Sequence, residues 1–308
     1  MPVNTAWDHV NSNIFKTWII MFLFSTFVVG IIYIFAKGYG FDNASALSLT
    51  GFALILTGLM NFVSFYFSDK IVLSVSGAKA ISETTHKELY RMVENIAIAG
   101  GLPTPKIYLI DDSAPNAFAT GRDPKHSAIA FTTGIIEKLN KLELEGVTAH
   151  ELSHVGNRDT LVMTVVSILV GTLALVSDMF LRSLWFGGHD RDSDSKGNAI
   201  FMVLALVAAI LAPVIATLIQ LAVSRRREYL ADASGVLLTR NPEGLATALL
   251  KISGDKEALE VANRGTAHLY IANPLKGSQA VGWFAGLFNT HPPVQDRVKA
   301  LREMGGGV

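Results

Sequence analysis

HELSHVGNRDTLVMTVVSILVGTLALVSDMFL, residues 150–181, joins two histidines and a carboxylate to an apolar run long enough to cross a bilayer. On an α-helix, positions four apart lie one turn above each other, so His150 and His154 face the same way and can share one ion. Glu151 sits beside them, one position off that stripe. There its carboxylate can take a proton from water and later pass it to a leaving amine. This is the minimal equipment for hydrolysing a peptide bond with zinc, which brings the pKa of its water to about 7. With eight histidines and twelve glutamates in 308 residues, chance alone produces such a string in about one chain per hundred.

The apolar half of the stretch has counterparts elsewhere. Half of the residues are hydrophobic and only 17% are charged, and the excess is concentrated in four runs: 18–36, 47–67, 160–181 and 199–223. A hydrocarbon core needs roughly 20 apolar residues at about 1.5 Å rise each, so four transmembrane helices are expected. The first run starts only at Trp18, has no basic leader beyond Lys16 and is followed by no small-residue cleavage pattern, so it reads as an anchor rather than a removable signal. Asp178, Asn61 and Pro213 within the spans read as a headgroup contact, a packing contact and a kink.

Basic residues are retained on the cytoplasmic side. Near the membrane, ten lysines and arginines, among them Lys70, Arg158 and Arg225 to Arg227, lie on the side of the termini, against four (Lys37, Arg182, Arg191, Lys196) on the other. Both termini and the polar segments 68–159 and 224–308 are therefore expected in the cytoplasm. The absence of cysteine excludes disulfides and thiolate metal sites. A formal charge of zero gives no reason to expect nucleic acid.

Between the second and third runs, Leu89, Met92, Val93 and Ile96 recur at helical spacing, and Gly100, Gly101 and Pro103 supply a stop. Lys106 to Asp111, Asn116 to Thr120 and Ser127 to Thr132 read as short strands of a small sheet. The motif helix is expected from about Leu142 through His154, with Gly156 and Asn157 as weak points. Further helices are expected from Pro242 to Ile252, around Asp255 to Asn263, and from Pro293 to Met304.

Two histidines do not complete a zinc site. A third histidine in the metzincin pattern would fall at Thr160, and the glycine of that pattern at Asn157, which excludes that branch. The charged residues Glu143, Glu145, Arg158 and Asp159 argue against a motif buried within a span. What remains is a glutamate on a later helix, and Glu228 in RREYLAD sits directly after the fourth run at the depth of His154. Asp232, one turn on, can accept the second ring N–H of a ligating histidine. The bland reading of Glu228 is a surface acid flanking arginines.

HELSHVGNRD at 150–159, RREYLADASG at 226–235, NAFATG at 116–121 and THPPVQDR at 290–297 together resemble the bacterial HtpX membrane metalloproteases, relatives of the eukaryotic CAAX prenyl endoproteases. The likeness covers almost the whole chain. It implies a zinc endopeptidase of the bacterial cytoplasmic membrane, facing the cytosol, that acts on damaged or misassembled membrane proteins. Carried over residue by residue, His150, His154 and Glu228 would be ligands of one Zn2+, Glu151 the catalytic base and Asp232 a support for a ligand.

The resemblance also suggests that Asn116, Ala117, Phe118 and Ala119 belong to an edge strand beside the cleft, where an extended substrate adds itself through main-chain hydrogen bonds. An interior strand is the equal alternative. His291 and Arg297 belong to the HPP…R element of that family, and a cation near the zinc can stabilise an oxyanion. A simple helix start, with Arg297 paired to a nearby acid, is as good a reading.

The expected fold is mainly α: four transmembrane helices carrying a cytosolic zincin-like (gluzincin) domain with a small β-sheet. Its parts are a membrane hairpin at 1–67, a protease half at 68–159 with the HELSH helix, a second membrane hairpin at 160–223 and a second protease half at 224–308 with the RREYLAD helix. The competing functions are a CAAX-type prenyl-protein peptidase, for which four spans are few, and a non-enzymatic membrane scaffold or transporter.

Overall fold

The structure, a computed structural model, describes residues 6–38, 41–186, 218, 225–262, 266–272, 274 and 292–305. Two long helices, α1 (Ala6–Gly38) and α2 (Asn43–Val75), open the chain. Asp42 caps α2 by accepting from the Ser45 N–H at 2.7 Å. The two helices pack as an antiparallel hairpin: Trp18 stacks on Phe65 with centroids 5.6 Å apart, and Asn61 Nδ2 donates to Ser25 Oγ at 2.8 Å. Both are long and apolar enough to cross a membrane. Their outer faces leave Phe22 69%, Phe52 66% and Ile55 74% exposed, a contiguous apolar surface that a water-soluble domain does not leave bare.

Two of the four expected spans therefore stand as candidate membrane helices among the described residues, not four. The third falls in α6 (Asp159–Phe186), whose Val162, Val165, Val166 and Leu169 pack into Ile20, Met21 and Phe24 of α1. Side chains of α6 are described as far as Leu173, too short a stretch to count as a span. The fourth run, 199–223, lies outside the described residues except for Leu218.

The polar half is built around a four-stranded mixed sheet, β1 (Lys79–Ala80), β2 (Lys106–Ile110), β3 (Ala117–Gly121) and β4 (Ser127–Thr132), in the order β1-β2-β4-β3. β2 runs parallel to β4, while β3 pairs antiparallel with β4, placing Ala119 opposite Ile129. β3 is thus an edge strand. Thr132 caps the short α4 (Thr133–Lys138), and α3 (Lys87–Ala99) buries the face made by Leu89, Met92, Val93 and Ile96, as its spacing predicts.

At the centre lies α5 (Lys141–Gly156), which carries the HELSH motif. Asn140 and Glu143 close a capping box at its start, worth about 1 kcal/mol. α5 is covered by α3, β3, α7 (Arg225–Thr239) and α8 (Pro242–Gly254), so Val147, Ala149 and Leu152 are fully buried together with the polar motif residues. Close approach needs glycine twice. A Cβ on Gly146 would lie 2.8 Å from the Leu245 nitrogen of α8, and one on Gly235 of α7 would lie 3.1 Å from the His150 nitrogen. Between α5 and α6 the chain turns at Arg158, held at φ 60°, a conformation uncommon without glycine.

The last helix, α9 (Val294–Gly305), starts one residue later than expected. The helix expected around Asp255 to Asn263 does not form over 255–262. Asp255 Oδ1 accepts from Glu257 N at 2.8 Å as a helix cap would, but the Glu260 N–H, which a helix would direct at the Lys256 carbonyl, goes instead to Asp112 Oδ2 at 2.9 Å.

Candidate metal centre

α5 presents His150 and His154 one turn apart, and α7 brings Glu228 against them. The two Nε2 atoms are 3.2 Å apart, His150 Nε2 is 3.8 Å from Glu228 Oε2, and His154 Nε2 is 3.5 Å from Glu228 Oε1. Ligand atoms about 2.0–2.1 Å from a tetrahedral ion are separated by roughly 3.3–3.5 Å, so one ion fits this triangle with only small adjustments. All three residues are buried, and they form the one such group found among the described residues.

Both imidazoles are oriented from behind. His150 Nδ1 lies 2.9 Å from Asp232 Oδ1, and His154 Nδ1 lies 3.1 Å from Asp159 Oδ2. A carboxylate at Nδ1 fixes the tautomer that leaves the Nε2 lone pair for an ion. Sequence reading found Asp232 but missed Asp159. Its signal was an acid five residues after the second motif histidine, indistinguishable in sequence from any acid at a membrane surface.

Asp159 is itself tied to the α1–α2 hairpin. Asn13 of α1 donates to Asp159 Oδ1 at 2.8 Å and to the Asn157 carbonyl at 2.9 Å, and Arg227 Nε stands 3.6 Å from Asp159 Oδ1. Asp159→Asn keeps the acceptor toward Asn13 but removes the charge behind His154. It is expected to weaken zinc affinity about 10–100-fold, read by competition with a chromophoric chelator. An unchanged affinity would reduce Asp159 to a helix-start residue.

The electrostatics favour a cation. Burial disfavours charge on His150 and lowers its pKa, leaving the neutral ring that an ion requires. Burial also opposes charge on His154, but Asp159, Glu228 and Glu151 outweigh it and hold this ring's pKa up to about 9. The anionic surroundings that keep a proton there would equally favour a metal in its place. Burial pushes the Glu151 carboxyl up to about 8, against the pull of His154. Its Oε2 accepts from the Ala119 N–H at 2.8 Å.

Arg297 enters from α9. Its Nε and Nη2 clamp Asp232 at 2.8 and 2.6 Å, and its Nη1 lies 3.5 Å from Glu228 Oε2. Burial works against the Asp232 charge, but Arg297 and His150 hold its pKa down at about 2. Of the two readings of Arg297, pairing with an acid is the geometry found, and its 1% exposure places it behind the ligands. His291 lies outside the described residues.

At β3, Asn116, Ala117, Phe118 and Ala119, the residues expected to bind substrate, are all buried. The Thr132 N–H donates to the Asn116 carbonyl, so the main-chain groups of Ala117, Ala119 and Gly121 point to the free edge. The edge is closed at one end, where the Ile271 N–H bonds the Ala117 carbonyl at 3.1 Å and Asn116 Nδ2 bonds the Ala272 carbonyl at 3.1 Å. Phe118 packs into the core against Tyr270, while Asn116 ties the strand to the segment at Ala272. Ala119, beside Glu151, is where the strand edge meets the metal-ligand cluster.

The family model described as peptidase family M48 matches residues 83–305. A protease HtpX homolog of Dictyoglomus thermophilum is 42% identical over 301 residues, covering 98% of this chain and 95% of that one. Another, of Tropheryma whipplei, is 45% identical over 284 residues, covering 91% and 95%. A structure titled crystal structure of S. mikatae Ste24p superposes with a TM-score of 0.49 at 19% identity, over 93% of this chain and 66% of that chain.

Proposed function

The chain belongs to peptidase family M48, and on that premise we propose that His150, His154 and Glu228 hold one zinc ion at which Glu151 drives hydrolysis of peptide bonds. Its substrates are misfolded or damaged membrane proteins, reached from the cytosolic side of the bacterial cytoplasmic membrane. By family it is a membrane metallopeptidase. The observation that carries it is the convergence of three buried donor atoms within 4.8 Å of one another. A His2Glu set with a fourth position open is the ligand pattern of catalytic zinc.

When bound, the ion supplies Lewis acidity toward water and the scissile carbonyl. The proton work falls to Glu151, which accepts a proton from the attacking water at Oε1 or Oε2 and delivers it to the departing amine nitrogen. Burial raises the Glu151 pKa to about 8, and a cation bound nearby would lower it again by favouring the carboxylate, toward the working pH at which proton transfer in both directions is efficient. The Ala119 N–H holds this carboxylate on the cleft side of α5. With the Ala119 N–H engaged by Glu151, an extended segment along this edge is read through its backbone by the Ala119 carbonyl, which suits clients that share exposed chain rather than sequence. The four-part organisation, with membrane hairpins at 1–67 and 160–223 alternating with protease halves at 68–159 and 224–308, belongs to the same proposal.

The test is cleavage of an unfolded model membrane protein by the detergent-purified chain. One zinc per chain is expected, with cleavage lost after chelation and restored by stoichiometric zinc. Undiminished cleavage by metal-stripped protein would overturn the reading.

A further inference from the structure

A cavity lies away from the metal centre, at the C-terminal end of α2. It has a volume of about 420 Å³ and sits between the last turns of α2 and the turn joining β3 to β4. Its walls carry four cations, Lys70, Lys106, Arg122 and Lys125, beside the rings of Tyr66 and Phe67. One acid, Asp69, lines it as well. A second acid, Asp123, lies 3.6 Å from Arg122 Nε and 2.8 Å from His126 Nδ1, so it offsets part of the Arg122 charge. Among the described residues no carboxylate pairs with Lys70, Lys106 or Lys125.

The rings face these cations. Lys70 Nζ stands 5.3 Å from the Phe67 centroid, and the Arg122 guanidinium 5.4 Å from that of Tyr66. Unpaired cations and interfacial aromatics at the depth where an apolar helix ends are the chemistry of a phosphate-bearing headgroup. The helix above supplies the rest of a lipid's needs. Ile55, Leu59, Phe62 and Tyr66 recur at helical spacing along one face of α2, exposed by 74%, 58%, 53% and 44%. They form an apolar track that runs from the hydrocarbon region down to the cavity.

We propose that this cavity binds the phosphate of an anionic phospholipid whose acyl chains lie along the Ile55–Tyr66 face of α2. The site rests on α2 crossing the bilayer and not on the zinc chemistry. Its consequence for the catalytic half is positional: Arg122 follows directly on Gly121 at the end of β3, and Ala119 of that strand holds Glu151. A headgroup gripped by Arg122 and Lys125 therefore anchors the β3–β4 turn, and with it the cleft edge, to the membrane surface.

The experiment is native mass spectrometry of the full-length protein in detergent, titrated in parallel with phosphatidylglycerol, phosphatidylcholine and inorganic phosphate. Phosphatidylglycerol is expected to bind at least about tenfold more tightly than phosphatidylcholine, and each cation removed to cost about fivefold. Arg122→Gln with Lys125→Gln should thus weaken phosphatidylglycerol about 25-fold, while Lys256→Gln, at an exposed lysine that does not line the cavity, should leave it unchanged. Should the double variant fail to fold, Lys125→Gln alone, at an exposed turn residue, carries the fivefold test. Equal retention of phosphatidylglycerol by wild type and variant overturns the proposal. So does inorganic phosphate binding as tightly as the lipid, which would make this a free-anion site. A wild-type protein that needs detergent for extraction yet shows no headgroup preference would sink the lipid site while leaving the membrane reading of α2 intact.

Discussion

Glu151→Gln is expected to lower peptide-bond cleavage by about 10³-fold while leaving zinc bound, which is the range that general acid–base catalysis supplies. The substitution is nearly isosteric, and the amide oxygen can still accept the Ala119 N–H that Glu151 Oε2 accepts at 2.8 Å. What it removes is the capacity to take and return a proton. Because Glu151 is not among the converging donors, metal content should stay at one per chain. Burial already favours an uncharged group at this position, as the rise to about 8 shows, so the variant should unfold no earlier than the wild type. Metal analysis and thermal unfolding, run beside the cleavage assay, separate the outcomes. Activity retained with zinc bound would remove Glu151 from its role. Zinc lost with activity would mean that Glu151 helps hold the ion.

Much of this site is readable from the chain because its components are local. His150, Glu151 and His154 are brought together by one turn of one helix, and helix periodicity places them without knowledge of the tertiary fold. Glu228 required one further step, the expectation that the third run starts and the fourth ends at one depth; Arg225–Thr239 does lie beside the motif helix. The strands were readable for a similar reason: short β-prone runs between turn formers gave β2, β3 and β4 nearly to the residue.

What was not legible depends on contacts across large sequence separations. Asn13 reaches Asp159 from 146 residues away, and nothing around Asn13 distinguishes it from any polar residue at a helix start. β1 has only two residues and exists because β2 offers an edge, so no alternation announces it. The helix expected near Asp255 failed because Asp112, 148 residues upstream, takes the Glu260 N–H. The closed end of the β3 edge likewise comes from Ile271, and local pattern contains no trace of it.

Arg297 shows the same limit with the largest consequence for stability. Residues 290–297 left two readings of it open, a cation beside a bound ion or a partner of a nearby acid, and the guanidinium is turned onto Asp232 and Glu228 and is 1% exposed. Burial disfavours its charge, but Asp232, Glu228 and Glu151 more than offset this and raise its pKa. Arg297→Met fills the space but leaves Asp232 and Glu228 buried without their cation. Breaking a buried pair on one side costs about 3–5 kcal/mol, so a fall of that size is expected in urea unfolding. Arg297→Lys should recover only part of it, because an ammonium cannot reproduce the two-pronged contact with Asp232. Asp232→Asn combined with Arg297→Met should cost less than the sum of the two single changes, since each partner removed relieves the charge left by the other. Zinc provides a further discriminator. A bound dication compensates the same carboxylates, so the Arg297→Met deficit should shrink when zinc is present and grow when it is chelated. A deficit that is indifferent to zinc would place the role of Arg297 in packing α9 against α7 and α8, with no part in balancing the charge of the metal site.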